Sequence, residues 1–325
     1  MSNTLDIKGT KVAFLGDVHI GRPWKVGVPL HRRGDREQMI KDQFVRELDV
    51  ECDVLIQVGD LLNRHRVDLN DVVFVADAIT KAAMAHADRK MIFMAGNHDL
   101  ARDVEKISSF ELVERLCNGF PNVDFISKAP EHYAPLVRDP RILFVPWSPT
   151  KSAAELVAEA GTDKVDLVVG HWDHVNLHGD SNLIPLDFLS KITKLVVSGH
   201  DHVAREYQYG DMRVVITGSM SPYSHGEDPN GTMYLTMSLL ELENIRPEII
   251  KDKCVRVLLG PGESLPIDID CLQLTQKRLG ADEDDLVVEF EDGLNLGALF
   301  AEAMADIDTV IAAKVREKFE DARIC

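Results

Sequence analysis

The sequence predicts an α/β fold, and three observations carry that reading. Five short, mostly apolar runs (residues 10–16, 53–59, 91–96, 167–170 and 195–199) have strand length, and each ends in Gly. Their apolar character is continuous rather than alternating, which suits strands buried on both faces beneath helices. Between them lie stretches with helical spacing. Residues 69–87 are rich in Val, Ala, Ile and Met, and residues 105–116 repeat apolar positions at Ile107, Phe110, Val113 and Leu116. With 325 residues and 45% hydrophobic content, the chain can build a sizeable core and exceeds one compact domain.

Each run delivers a short polar block. In order these are Asp17-Val18-His19, Gly59-Asp60, Gly96-Asn97-His98-Asp99, Gly170-His171 and Gly199-His200-Asp201-His202. The blocks begin where the strands end, so they gather at one sheet edge, where open α/β sheets bind ligands. Asp17 and His19, like His200 and His202, are two residues apart, a spacing that puts both side chains on one face of extended backbone. One such block would mean little, but five in succession describe a cage for two divalent ions. The candidate ligands are Asp17, His19, Asp60, Asn97, His171, His200 and His202. A set of carboxylates, a carboxamide and imidazoles without thiolate suits manganese, iron or zinc better than magnesium or calcium. A carboxylate such as Asp60 can bridge two ions about 3.5–4 Å apart, an arrangement that polarises a phosphoryl oxygen and activates a water for in-line attack. His98 follows a ligand without needing to be one, and its near-neutral pKa suits protonation of a leaving alkoxide. Asp99 and Asp201 are expected to orient histidines or cap turns.

The blocks resemble the motifs D-x-H, G-D, G-N-H-[DE], G-H and G-H-x-H of the calcineurin-like metallophosphoesterase superfamily, over residues 11–204. That resemblance implies a two-sheet αβ sandwich flanked by helices with the dimetal site at the strand ends. It also implies a division of ligands. One ion would take Asp17, His19, Asp60 and His202, and the other Asp60, Asn97, His171 and His200. Material between the motifs resembles the SbcD-type nuclease branch of phage recombination and repair enzymes. It comprises Val145-Pro146-Trp147, Gly170-His171-Trp172, and residues 217–222 followed by His225-Gly226-Glu227 and Asn230-Gly231. The chain departs from that branch at Asn230 and at Asn63. The resemblance implies a Mn²⁺-dependent DNA exonuclease or endonuclease, the nuclease subunit of an SbcCD-like complex with an SMC-like ATPase (SbcC-type) partner. It also implies a homodimer built from the helices that flank the third block. The alternatives are a small-substrate phosphodiesterase or phosphoprotein phosphatase of the same superfamily, and a scaffold that has lost catalysis.

The predicted organisation is a metallophosphoesterase domain over residues 1–245, a small α+β capping region over 246–290 and a C-terminal helix over 291–325. Apolar residues recur at helical spacing from Leu296 to Phe319, and the helix would dock the ATPase or pack on its own domain. Net charge is −18, and residues 261–325 carry 6 basic against 16 acidic residues. DNA contacts must therefore come from local clusters. The best of them follows the first block: Arg22, Lys25, Arg32, Arg33 and Arg36, with Trp24 available for base stacking. The five cysteines are odd in number and lack C-x-x-C spacing, so neither a disulfide framework nor a thiolate metal site is expected. No signal-peptide pattern and no run of about 20 apolar residues is found, which predicts a cytoplasmic protein of a bacterial or phage-infected cell with no membrane association.

Overall fold

The structure, a computed structural model, describes residues 3–103, 106–133, 140–174, 182–265 and 269–279. Two sheets face each other. The first contains β1 (Asn3–Ile7), β2 (Thr10–Leu15), β3 (Val54–Gln57), β4 (Lys90–Met94) and β5 (Val123–Ile126), in that order. The second contains β6 (Glu131–Tyr133), β7 (Ile142–Val145), β8 (Leu167–His171), β9 (Leu195–Gly199), β10 (Arg205–Tyr209) and β11 (Met212–Ile216). Its strand order is β10-β11-β9-β8-β7-β6. Pairing is parallel through the middle of both sheets and antiparallel only at β1–β2, β6–β7 and β10–β11. The five strands that precede the polar blocks are thus all interior strands.

Continuous apolar character follows from burial on both faces. Val12, Phe14, Ile56, Ile92 and Met94 meet Ile142, Phe144, Val169 and Val197 in one core between the sheets. The alternate residues Ala13, Leu15, Leu55 and Phe93 pack beneath α1 (Asp35–Leu48), α2 (Leu69–Ala85) and α3 (Ser109–Cys117). Val145, Val168 and Val196 lie beneath α4 (Ala153–Glu159) and α5 (Leu186–Ile192). The result is the helix–sheet–sheet–helix sandwich expected from the motifs. Helix α3 starts later than its apolar spacing suggests because Ser108 and Glu111 form a capping box, which leaves Ile107 outside the helix and half exposed.

A third, parallel sheet contains β12 (Tyr234–Ser238), β13 (Cys254–Leu259) and β14 (Gln273–Arg278), covered by α6 (Leu239–Asn244). It draws on both sides of residue 245, since β12 precedes that position. Its seat is the loop after the first block. Gly27 O accepts the Leu274 N–H at 2.7 Å, and Val26 O accepts the Gln273 side-chain amide at 2.9 Å. Arg32 reaches Lys251 O (2.8 Å), Asp252 (2.8 Å), Asp270 (3.1 Å) and Asp35 (2.6 Å). The C-terminal helix expected over 291–325 lies outside the described residues. Among the described residues, no helix is long and apolar enough to cross a membrane.

Phe144 is fully buried between the two sheets. Phe144→Ala is expected to cost about 3–5 kcal/mol through lost burial and the cavity left behind. Urea unfolding should show a lower midpoint at an unchanged slope.

Candidate metal centre

Every predicted ligand sits on the loop after its strand or, for His171, at the strand's last residue. These loops are fastened to one another. Asp60 O accepts the N–H groups of Val18 (2.9 Å) and His19 (3.0 Å), and Asp60 Oδ1 accepts that of His98 (2.8 Å). Asp99, fully buried, accepts backbone N–H groups from Leu61 (3.1 Å), Leu62 (2.8 Å) and Gly96 (2.9 Å), and so ties the second block to the third. Across the sheets, the Asp17 carboxylate accepts the His200 N–H at 3.2 Å and Asp17 O the Met220 N–H at 2.8 Å. His19 (φ 49°), Asp60 (φ 54°) and His200 (φ 80°) all hold left-handed backbone, a strain that sits at the centre itself. Gly59 also has positive φ (113°), and a Cβ there would lie 2.2 Å from His171 Nδ1.

The side chains converge as two groups that share Asp60. In one, Asn97 Oδ1 lies 3.0 Å from His171 Nε2 and 2.9 Å from His200 Nδ1. The two imidazole nitrogens are 3.3 Å apart, and Asp60 Oδ2 is 3.4 Å from His171 Nε2. In the other, His19 Nε2 lies 3.0 Å from His202 Nε2 and 3.8 Å from Asp60 Oδ2, and Asp17 Oδ2 is 3.5 Å from His202 Nε2. The far nitrogens settle which lone pairs point inward. His171 Nδ1–H donates to Val58 O (3.0 Å), His200 Nε2–H to Asp173 (2.9 Å) and His202 Nδ1–H to Glu227 (3.3 Å). Asn97 Oδ1, Asp60 Oδ2, His171 Nε2 and His200 Nδ1 therefore face one another as acceptors, an arrangement that a cation between them stabilises and its removal makes repulsive. Bonds of about 2.0–2.2 Å to a shared ion put neighbouring donor atoms about 3.0–3.5 Å apart, and these spacings fit.

Electrostatics point the same way. Asp17 is pushed well above the usual carboxylate range by burial and then by the neighbouring Asp60 charge. Burial alone would raise Asp60 too, but His171, with His19 and His98, holds it below its ordinary value. Burial pushes His19 down to about 3 against the pull of Asp60, and lowers His171 likewise, a direction that favours the lone pair a metal ligand needs. Burial would also lower His200, but its bond to Asp173 outweighs that and raises it. Asp17, Asp60 and Asp99 are all buried, and such a concentration of carboxylates calls for cationic charge nearby.

His98 stands at the rim, its side chain 43% exposed, with Nε2 4.0 Å from Asp60 Oδ2. Its Nδ1–H donates to the Asn63 carbonyl at 2.6 Å, which fixes the tautomer and turns Nε2 toward the centre. The departure at Asn63 thus leaves His98 oriented, because the backbone rather than the side chain does it. Asp173 and Glu227 are the functional residues that sequence reading did not single out as histidine partners. Asp173 lies only two residues after His171, yet it serves His200, and no spacing rule links the two.

The basic cluster after the first block divides. Lys25 and Arg33 are exposed and Arg22 is partly so. Trp24 is not available for base stacking. It is 7% exposed, stacks on Tyr223 at 6.0 Å between ring centroids, and has Arg36 5.4 Å over its face. Arg36 is buried and donates to Ser221 Oγ and Pro222 O, both at 2.8 Å. Arg32 is buried by the third-sheet contacts given above. Their partners lie some 185–240 residues away in sequence, which is why local composition suggested a free basic loop.

Gly59→Ala should drive a methyl group into the His171 ring and reduce bound divalent metal, measured by elemental analysis, well below that of the parent protein. Asp173→Asn and Glu227→Gln, which keep the shape and lose the charge, should each weaken metal affinity by about 10–100-fold without unfolding the chain.

Among solved structures the chain is similar to phosphopantetheinyl hydrolase from Mycobacterium tuberculosis, at 15% identity over 68% of this chain and 95% of that one (TM-score 0.37). It is also similar to an archaeal phosphodiesterase (13%, 66% and 87%, TM-score 0.33) and to a dimetal phosphatase from Danio rerio (12%, 64% and 87%, TM-score 0.38). No curated protein matches the sequence. The model of the calcineurin-like phosphoesterase family matches residues 10–204, more than half of the chain and the whole span of the five blocks, and the chain belongs to that family.

Proposed function

We propose that this metal-dependent phosphoesterase is a DNA phosphodiester hydrolase. It would be the nuclease subunit of an SbcCD-like ATPase–nuclease complex, loaded with two Mn²⁺ ions and acting in end processing, repair or recombination. The observation that carries the reading is the place of residues 217–231, the segment that resembles the nuclease branch. Ser219 N–H donates to His202 O (3.0 Å), Met220 N–H to Asp17 O, Tyr223 sets its ring 5.2 Å from that of His19, and Glu227 holds His202. The part of the chain that resembles the branch thus lies against the centre.

Within this reading the chain's own groups have defined tasks. The bonds from Val58, Asp173 and Glu227 keep three imidazoles in the ligating tautomer. Asp99 and Asp60 lock the loops so that the donors are in place before substrate arrives. His98, with Nδ1–H committed to Asn63, would donate from its imidazolium form the Nε2 proton that the leaving alkoxide takes up, leaving a neutral ring. The outer face of α2 and α3 exposes Leu69, Val73, Met84 and Leu116, which supports a homodimer through these helices. Docking of the SMC-like ATPase by residues 291–325 is proposed on sequence pattern alone. One observation favours the second reading, a small-substrate phosphodiesterase or phosphatase. Trp24, Arg32 and Arg36 are withdrawn from the surface, so three of the six residues expected to contact DNA are not available to it. In the nuclease reading the ATPase partner supplies the remaining grip.

End-labelled linear DNA incubated with Mn²⁺ should be degraded by the parent protein, poorly with Mg²⁺, and at least about 100-fold more slowly by Asp60→Ala and His98→Ser. A parent protein that hydrolyses bis-nitrophenyl phosphate but leaves DNA intact, with and without an ATPase partner, selects the small-substrate reading.

A further inference from the structure

Several arginines of the described residues are paired through their guanidinium groups. Arg32 has three carboxylates, Arg36 and Arg89 have buried carbonyl or hydroxyl acceptors, Arg205 has Asp201, and Arg213 has Glu206. Arg22 differs. Among the described residues no carboxylate pairs with its guanidinium, which lies instead on aromatic faces, 5.0 Å from the Tyr223 centroid and 5.8 Å from that of Trp24. Both rings are buried. Tyr223 meets His19 edge-on at 5.2 Å and lies tilted against His202 at 5.6 Å, and its hydroxyl donates to Val18 O. The Arg22 N–H donates to His19 O at 3.2 Å, which fixes the backbone of the turn. A planar cation with its fork of donors free is therefore held one ring away from two of the metal ligands.

Arg22 also lines a cavity of about 170 Å³, together with His19, the apolar Ile20, Trp24 and Ile40, and the polar Glu37, Lys41 and Asp71. Its other cation, Lys41, is committed to Asp71 at 2.6 Å. Its remaining acid, Glu37, accepts the Trp24 N–H through Oε1, while Oε2 is buried away from solvent. Arg22 is thus the one cation of this cavity left to receive an anion. A guanidinium stacked on aromatic rings loses little freedom on binding, and its paired donors match two phosphate oxygens.

We propose that Arg22 is a specificity-determining residue that grips the phosphate next to the scissile one, with the cavity accommodating the nucleoside between them. This assignment rests on the DNA reading above. It makes the enzyme select a chain of successive phosphates over a diester that has only one. In that role Arg22 contributes to recognition and not to the reacting atoms.

The test compares a thymidine oligonucleotide with bis-nitrophenyl phosphate as substrates of the Mn²⁺-loaded protein. It also measures binding of the same oligonucleotide to metal-free protein as a function of salt. Arg22→Met is expected to lower the ratio of the two kcat/KM values at least about tenfold. It should also reduce the slope of log affinity against log salt by about 0.7, the share of one phosphate on a single strand. Arg22→Lys, which keeps the charge and loses the fork, should recover the salt slope and only part of the ratio. An unchanged ratio, with both substrates affected equally, overturns the assignment and leaves the nuclease reading standing. A parent protein that cleaves bis-nitrophenyl phosphate but binds and cleaves no oligonucleotide overturns the nuclease reading and this assignment with it.

Discussion

The Asp60 carbonyl takes the N–H groups of both Val18 and His19, its Oδ1 takes that of His98, and its Oδ2 faces His19, His171 and His98. Loops from three neighbouring strands of one sheet thus close on a single residue, and that residue also looks across to the other sheet. It can do so only in left-handed backbone, and only because Gly59 before it and Gly96 beside it leave no Cβ in the way. A Cβ on Gly96 would come 2.2 Å from Asp60 Oδ1. The sandwich brings its two sheets together at this edge, and the ligands from β8 and β9 then complete what the ligands from β2, β3 and β4 begin.

The strain and the buried charge belong to one arrangement. Three residues in left-handed backbone cost of order 1–3 kcal/mol each, and they persist because the surrounding hydrogen bonds over-determine them. Asp99 accepts three backbone N–H groups, more than most carboxylates receive, and keeps the second and third blocks in register. The acceptor atoms of Asn97, Asp60, His171 and His200 then face one another at separations that suit neighbours around one ion. The protein core supplies the rigidity, and the cation is what makes the convergence favourable.

Much of this was legible in the sequence because it is local. Residues 10–16 and 53–59 end in Gly at the sheet edge, and β2 and β3 lie within those runs. The i, i+2 pairs Asp17/His19 and His200/His202 lie at the centre through left-handed turns at His19 and His200 rather than on one face of extended backbone, and His200 and His202 join different donor groups. Helix α3 was misplaced at its start by the apolar Ile107, since the Ser108–Glu111 box outweighs periodicity at a helix end. What was not legible is what depends on distant partners. Trp24 reads as a surface aromatic among basic residues until Tyr223 and Arg36 close over it. Arg32 reads as a DNA contact until the third sheet brings Asp252 and Asp270 to it. Glu227 and Asp173 become visible as histidine partners only once the fold sets them against His202 and His200.

The acidic balance of the chain counts against the proposed nuclease role only if every carboxylate is counted as surface charge. Asp17, Asp60 and Asp99 are buried at the centre, where two divalent cations, once bound, would offset their charge. A further excess of 16 acidic over 6 basic residues lies in residues 261–325, away from the five blocks in sequence. The field that a phosphate backbone meets is set within a Debye length of the centre rather than by net charge. Bound divalent ions and Arg22 would add cationic charge at that edge, and in the proposed nuclease role a polyanion would meet this local field rather than the overall charge.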